Sequence, residues 1–183
     1  MVSVPDPAVL TAAFPSLPRA LKREMRSNHA GELGAVWIYR GVLAVTRDPA
    51  LRAFAEEHER TEAAHLAFFE AGLPSAGKTR LAPLWRVMGF GLGCLPALLS
   101  PAAVYRTIAA VEAFVDHHYG DQLGALAGQP AFEALAAVLA QFRAEECAHR
   151  DEAREKEPST DGGPWTALVF KGSALGAALA KRI

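Results

Sequence analysis

Cysteine is scarce in this chain: Cys94 and Cys147 are the two in 183 residues. They form no CxxC pair and no spaced framework, which argues against a disulfide-held fold and for a reducing compartment. Net charge is nearly absent as well, since 19 Lys and Arg against 20 Asp and Glu leave a formal charge of -1. Binding nucleic acid or an anionic surface through bulk charge needs an excess of basic residues, so no nucleic-acid partner is expected. No stretch alternates Val, Ile or Thr with polar residues between hairpin turns, which disfavours a β fold. The N-terminus lacks the basic start, apolar run and small-residue cleavage site of a secretory signal. It also lacks the Arg-rich character of a transit peptide. A bacterial cytoplasmic protein, or a mature chain, is the expectation.

What the chain does have is apolar residues, 51% of the total, set at helical spacing. Residues 1–17, with Pro5, Pro7 and Pro15, read as a loose lead-in. Residues 18–183 read as one domain. A first long helix is expected from Leu21 to about Thr46. Asp48-Pro49 then supplies an N-cap and a first-turn proline for a second helix, with Gly72 as its stop. Ser100-Pro101 opens a third helix to about Leu126, and a fourth ends near Glu157 after Gly128-Gln129-Pro130. Two shorter apolar helices are expected at about 80–100 and 164–181. The fold class is all-α, a four-helix bundle with a long crossover through residues 72–100.

Two ExxH motifs carry the chemistry, Glu62-Ala63-Ala64-His65 and Glu146-Cys147-Ala148-His149. Residues three apart share a helix face, so each carboxylate and imidazole can grip one metal together. A lone ExxH on a helix is weak evidence. Here each ExxH helix follows a helix with a glutamate on its apolar stripe. Glu32 lies with Met25, Val36, Tyr39 and Leu43; Glu112 lies with Val104, Ile108, Val111 and Val115. One Glu from each of two helices and a Glu-x-x-His from each of two others is the ligand plan of ferritin-like di-iron proteins. Four carboxylates in an apolar bundle need compensation, and two divalent cations supply it. The donor set suits iron or manganese better than thiolate-seeking metals, and zinc has no redox chemistry. The metal ligands are therefore read as Glu32, Glu62, His65, Glu112, Glu146 and His149. His58 has no Glu three residues before it and reads as a core or neighbouring residue. Glu145 competes with Glu146, and the i, i+3 relation favours Glu146. Asp116, Asp151 and backbone carbonyls are candidates for orienting the histidine rings. Cys147 reads as a small packing residue.

With these residues in view, the chain resembles the demethoxyubiquinone hydroxylase family of ferritin-like di-iron carboxylate proteins. The resemblance runs from about residue 21 to the end. It rests on His29-Ala30-Gly31-Glu32 with Gly34-Ala35 and Ile38-Tyr39, on Glu62…His65 with Phe69, on Thr107 with Ala110-Val111-Glu112, His117-His118-Tyr119 and Gln122, on Glu146…His149, and on the ending at Arg182-Ile183. It implies two iron ions per chain and O₂-dependent hydroxylation of a polyprenylated demethoxy-benzoquinone or quinol in ubiquinone biosynthesis. It also implies an electron source, either an external reductant such as NADH or the quinol itself. His118 and Tyr119 match family positions beside the site and are expected to relay electrons or protons, or simply to pack. A homodimer or a larger ubiquinone-synthesis complex is a further expectation.

A substrate with an isoprenoid tail implies contact with a membrane. Val87 to Tyr105 is nineteen residues without a charge, near the length that spans a bilayer. Pro96, Pro101 and three glycines favour an interfacial element instead. With the C-terminal helix it would form a lipid-facing patch, placing the protein peripherally on the cytoplasmic face of a bacterial inner membrane. A buried crossover or a dimer interface is the competing reading. Gly89-x-Gly91-x-Gly93 follows no strand and is no nucleotide fingerprint; it reads as a helix-packing element or a bend. Two other functions stay open: a ferritin-like iron-handling or ferroxidase protein, and a non-catalytic quinone-binding scaffold.

Overall fold

A computed structural model describes residues 4–160 and 162–183, together with the backbone but not the side chain of Thr160. The helices are α1 (Ala8–Ala13), α2 (Arg19–Val45), α3 (Pro49–Gly72), α4 (Ala82–Leu99), α5 (Pro101–Leu126), α6 (Glu133–Lys156) and α7 (Pro164–Ala180). No strand occurs among the described residues. The fold is an all-α ferritin-like four-helix bundle with two added apolar helices. α2 pairs with α3 and α5 with α6, while α4 lies along α2 and α7 along α5.

Local chemistry sets the ends. Asp48 caps α3 by accepting from the Leu51 N–H at 2.8 Å, with Pro49 in the first turn. Ser100 does the same for α5 through the Ala103 N–H at 3.1 Å, ahead of Pro101. α6 starts on Glu133 and ends with Arg154 and Lys156, charges that complement the helix dipole.

The lead-in differs from its expectation. Residues 1–3 lie outside the described residues, but 8–16 form α1 and a short 3-10 turn. The reason is burial: Leu10 is fully enclosed and Leu17 nearly so, which ties the segment to the bundle. α3 stops at Gly72, as expected, and the residue has a second role. It is the last helical residue of α3, at negative φ, and a Cβ there would press on Leu10. Its missing side chain admits α1.

Two apolar clusters fill the bundle. One holds Tyr39, Val42, Phe54, Ile108 and Ala153; the other holds Met25, Phe68, Tyr119, Leu139 and Phe142. On each long helix the acidic and imidazole residues fall between members of the two clusters. Glu32 lies between Met25 and Tyr39, and Glu62 and His65 between Phe54 and Phe68. Glu112 lies between Ile108 and Tyr119, and Glu146 and His149 between Phe142 and Ala153. The bundle thus encloses one polar layer between two apolar ones.

Candidate metal centre and its cavity

All six residues singled out by spacing are buried in that layer. They fall into two overlapping sets, Glu32, Glu62, His65 and Glu146, and Glu62, Glu112, Glu146 and His149, with the donor atoms of each set within 4.8 Å of one another. Glu62 and Glu146 belong to both sets, whereas Glu32 and Glu112 each belong to one. Both imidazoles aim Nδ1 inward. His65 Nδ1 is 2.9 Å from Glu146 Oε1 and 3.5 Å from Glu32 Oε2. His149 Nδ1 is 3.1 Å from Glu62 Oε1 and 3.2 Å from Glu146 Oε2.

The chain's own groups fit a cation pair. Both Nδ1 atoms, Glu62 Oε1 and Glu146 Oε2 are buried without a hydrogen-bond partner, which is costly for polar atoms unless something else is bound. Burial and the neighbouring Glu146 charge push the Glu62 carboxyl up to about 8, and burial with the same charge also raises Glu112. Burial opposes charging of His149, but contacts with Glu146 and Glu62 prevail and raise its pKa to about 11. His65 is raised for the same reason, by Glu145, Glu146 and Glu32 against burial. Protons are thus held where positive charge is needed, and cations binding there would release them.

The surroundings refine the sequence reading. Tyr119 donates to Glu32 Oε1 at 2.5 Å, directly behind the cluster. His118 does not touch the cluster. Its ring stacks on Phe114, and its Nε2 faces Glu24 Oε2 at 3.6 Å. Glu145, weighed as a rival ligand, accepts from the outward Nε2 of His65 at 2.6 Å. Asp116 and Asp151, candidate partners for the ring nitrogens, are taken by arginines: Asp116 by Arg143 and Arg150, Asp151 by Arg150. The His58 ring lies tilted against that of His149, with centroids 4.0 Å apart, and donates to Glu152 Oε2 at 2.8 Å. Spacing did not single out a reciprocal amide pair. Asn28 Nδ2 donates to Gln122 Oε1 at 2.8 Å, and Gln122 Nε2 to Asn28 Oδ1 at 2.9 Å, both buried. The available signal was position: Asn28 is one turn before Glu32, and Gln122 one turn after Tyr119.

A cavity of about 520 Å³ runs between α2, α4, α5 and α7. Its walls are mostly apolar, and its polar end includes Glu32, Glu62, Glu112, Glu146, Tyr119 and Asn28. Val87 and Leu95 of α4 and Leu168 of α7 both line it and stand exposed at the surface. The cavity therefore opens on the apolar face shared by those two helices.

Fold and site together define a ferritin-like carboxylate–histidine protein with an apolar substrate-sized cavity on its cluster. The family pattern of ubiquinone biosynthesis protein COQ7 matches residues 19–180. The chain belongs to that family. It is 36% identical over 161 residues to 3-demethoxyubiquinol 3-hydroxylase of Paracidovorax citrulli, covering 87% of this chain and 78% of that protein. It is 39% identical over 140 residues to the Rhodospirillum rubrum protein of the same name, covering 75% and 65%. It is 35% identical over 136 residues to the mitochondrial NADPH-dependent 3-demethoxyubiquinone 3-hydroxylase of Homo sapiens, covering 72% and 63%.

Proposed function

We propose that the chain, with residues 18–183 acting as one ferritin-like unit, hydroxylates the ring of a polyprenylated demethoxyubiquinol using O₂. The observation that carries this is the cavity: apolar along its walls and carboxylate at its end, it matches a greasy molecule with one polar, reactive ring. Glu32, Glu62, His65, Glu112, Glu146 and His149 would hold two irons, which would supply the O₂ chemistry when bound. The side chains do the rest. Glu62 and Glu146, shared by both donor sets, would balance the charge of cations held there. Tyr119 fixes Glu32 through its hydroxyl, and burial holds that phenol in its protonated form. Asn28, its amide paired with Gln122, lines the cavity beside the carboxylates, and the apolar walls would exclude water. The reductant comes from outside, as NADH or as the NADPH named for the human relative.

The tail would leave through the mouth between α4 and α7, where Val87, Leu95, Leu98, Leu99, Leu168 and Leu175 are exposed. By length and composition α4 could cross a membrane. Its glycine face, however, is packed along α2, which favours peripheral contact with a bacterial inner membrane from the cytoplasmic side. Quinone analysis in a strain lacking its own hydroxylase for this step tests the reading. The chain is expected to convert accumulated demethoxyubiquinone to ubiquinone, and the Glu62→Ala and Glu146→Ala variants to lose both iron and conversion. Full iron and full conversion in those variants would refute the ligand assignment, and no conversion by the native chain would refute the activity.

A further inference from the structure

The two ExxH motifs are equivalent in sequence but not in their surroundings. His65 turns Nδ1 into the cluster and gives its Nε2 hydrogen to Glu145 at 2.6 Å. Glu145 is itself held by Gln141, whose Nε2 donates to Glu145 Oε1 at 3.0 Å. The Gln141, Glu145 and His65 side chains thus form a line from the protein surface to one half of the cluster. His149 has no counterpart. Its ion-pair contacts, to Glu62 and Glu146, are both made by Nδ1, and no described carboxylate pairs with its Nε2. Its ring lies tilted against that of His58, and the nearby Glu152 pairs with His58 instead.

A carboxylate on the outer nitrogen of a metal-bound imidazole fixes the tautomer and raises the ring's basicity. The geometry points to Glu145 as a positioning residue that makes the two metal positions unequal, strengthening the one built on His65 over the one built on His149. This rests on the two-metal reading above. It also assigns Glu145 a role distinct from that of the adjacent ligand Glu146: one helix supplies both a ligand and the brace for a ligand on another helix.

Anaerobic titration of the metal-free full chain with ferrous iron, followed by Mössbauer spectroscopy at one and two equivalents, tests it. The native chain is expected to fill two positions in sequence, each with its own spectrum. Glu145→Ala should weaken the first position about 10- to 100-fold and leave the second in place. Glu145→Gln keeps an acceptor on Nε2 and should restore part of the loss. Unchanged helical circular dichroism in Glu145→Gln separates the effect from misfolding. Two positions filled as in the native chain by Glu145→Ala would overturn the inference while leaving the metal reading intact. Loss of one iron to the same extent in the Ala and Gln variants would also overturn it, because Glu145 would then be a ligand. A native chain that takes up no iron would overturn the metal reading and this inference with it.

Discussion

At the scale of single residues, the bundle stores several histidines in neutral form. His29 is buried on α2, where its Nδ1 accepts the Thr79 backbone N–H at 3.2 Å. Burial, aided by the Lys78 charge, lowers its pKa from 6.5 to about 4. Between those values the unfolded chain binds a proton that the folded chain refuses. Stability is therefore intact above 6.5 and declines as pH falls toward 4. For this one residue the loss between neutral pH and pH 5 is about 2 kcal/mol, or roughly 4–8 °C in melting temperature for a chain of this size. His29→Asn keeps an acceptor near the Nδ1 position and removes the titration. Thermal melts at pH 7.5 and pH 5 should show a smaller acid loss in this variant than in the native chain. Equal losses would mean that His29 is not held neutral by the fold. His58 and His118 are also lowered to about 4, chiefly by burial, so part of the acid sensitivity should remain.

At the scale of helices, the contact between α2 and α4 depends on glycine. A Cβ at Gly93 would collide with the Ile38 carbonyl, and one at Gly89 with the Gly34 carbonyl, both backbone atoms of α2 that have no room to yield. Gly91, between them, has nothing within 4 Å of its Cβ position. Gly93→Ala should therefore cost about 1–3 kcal/mol or more through overpacking. Gly91→Ala should be neutral or gain up to about 1 kcal/mol from helix propensity. Denaturant titration of the two variants checks the contrast, and equal stabilities would contradict the packing described here. The same helices show what a sequence conveys. Asp48-Pro49 and Ser100-Pro101 announced α3 and α5 because capping is local chemistry. The convergence of Glu32, Glu62, His65, Glu112, Glu146 and His149 into one layer was readable because i, i+3 spacing fixes a helix face. α1 was not readable, because it is held by Leu10 against a distant glycine rather than by its own pattern. The partners of the outer ring nitrogens were hidden for a related reason. Asp116, Asp151, Glu145 and Glu152 are all acids near the site, and only the packing of α5 and α6 gives Asp116 to two arginines and leaves Glu145 for His65.

At the scale of the whole molecule, one surface stands apart. Leu99 is 81% exposed at the end of α4 and Leu175 73% exposed on α7, and neither lines the cavity. Leucines this bare are costly in water, and here they lie on the two helices between which the cavity opens. If that mouth faces a bilayer, each leucine taken up by lipid contributes about 1.5–3 kcal/mol. Replacing both with glutamate should then weaken partitioning to phospholipid vesicles by on the order of 100-fold or more. Because these side chains touch neither the core clusters nor the polar layer, iron content and melting temperature should be unchanged. Co-sedimentation of the Leu99→Glu/Leu175→Glu double variant with vesicles, beside iron analysis of the same preparation, makes the measurement. Retained vesicle binding would move the membrane contact away from this face. Lost iron would show that the face supports the bundle rather than the bilayer. Vesicle binding that falls while iron stays would connect the cavity mouth to the membrane, so that a long-tailed quinol reaches the cluster without crossing water.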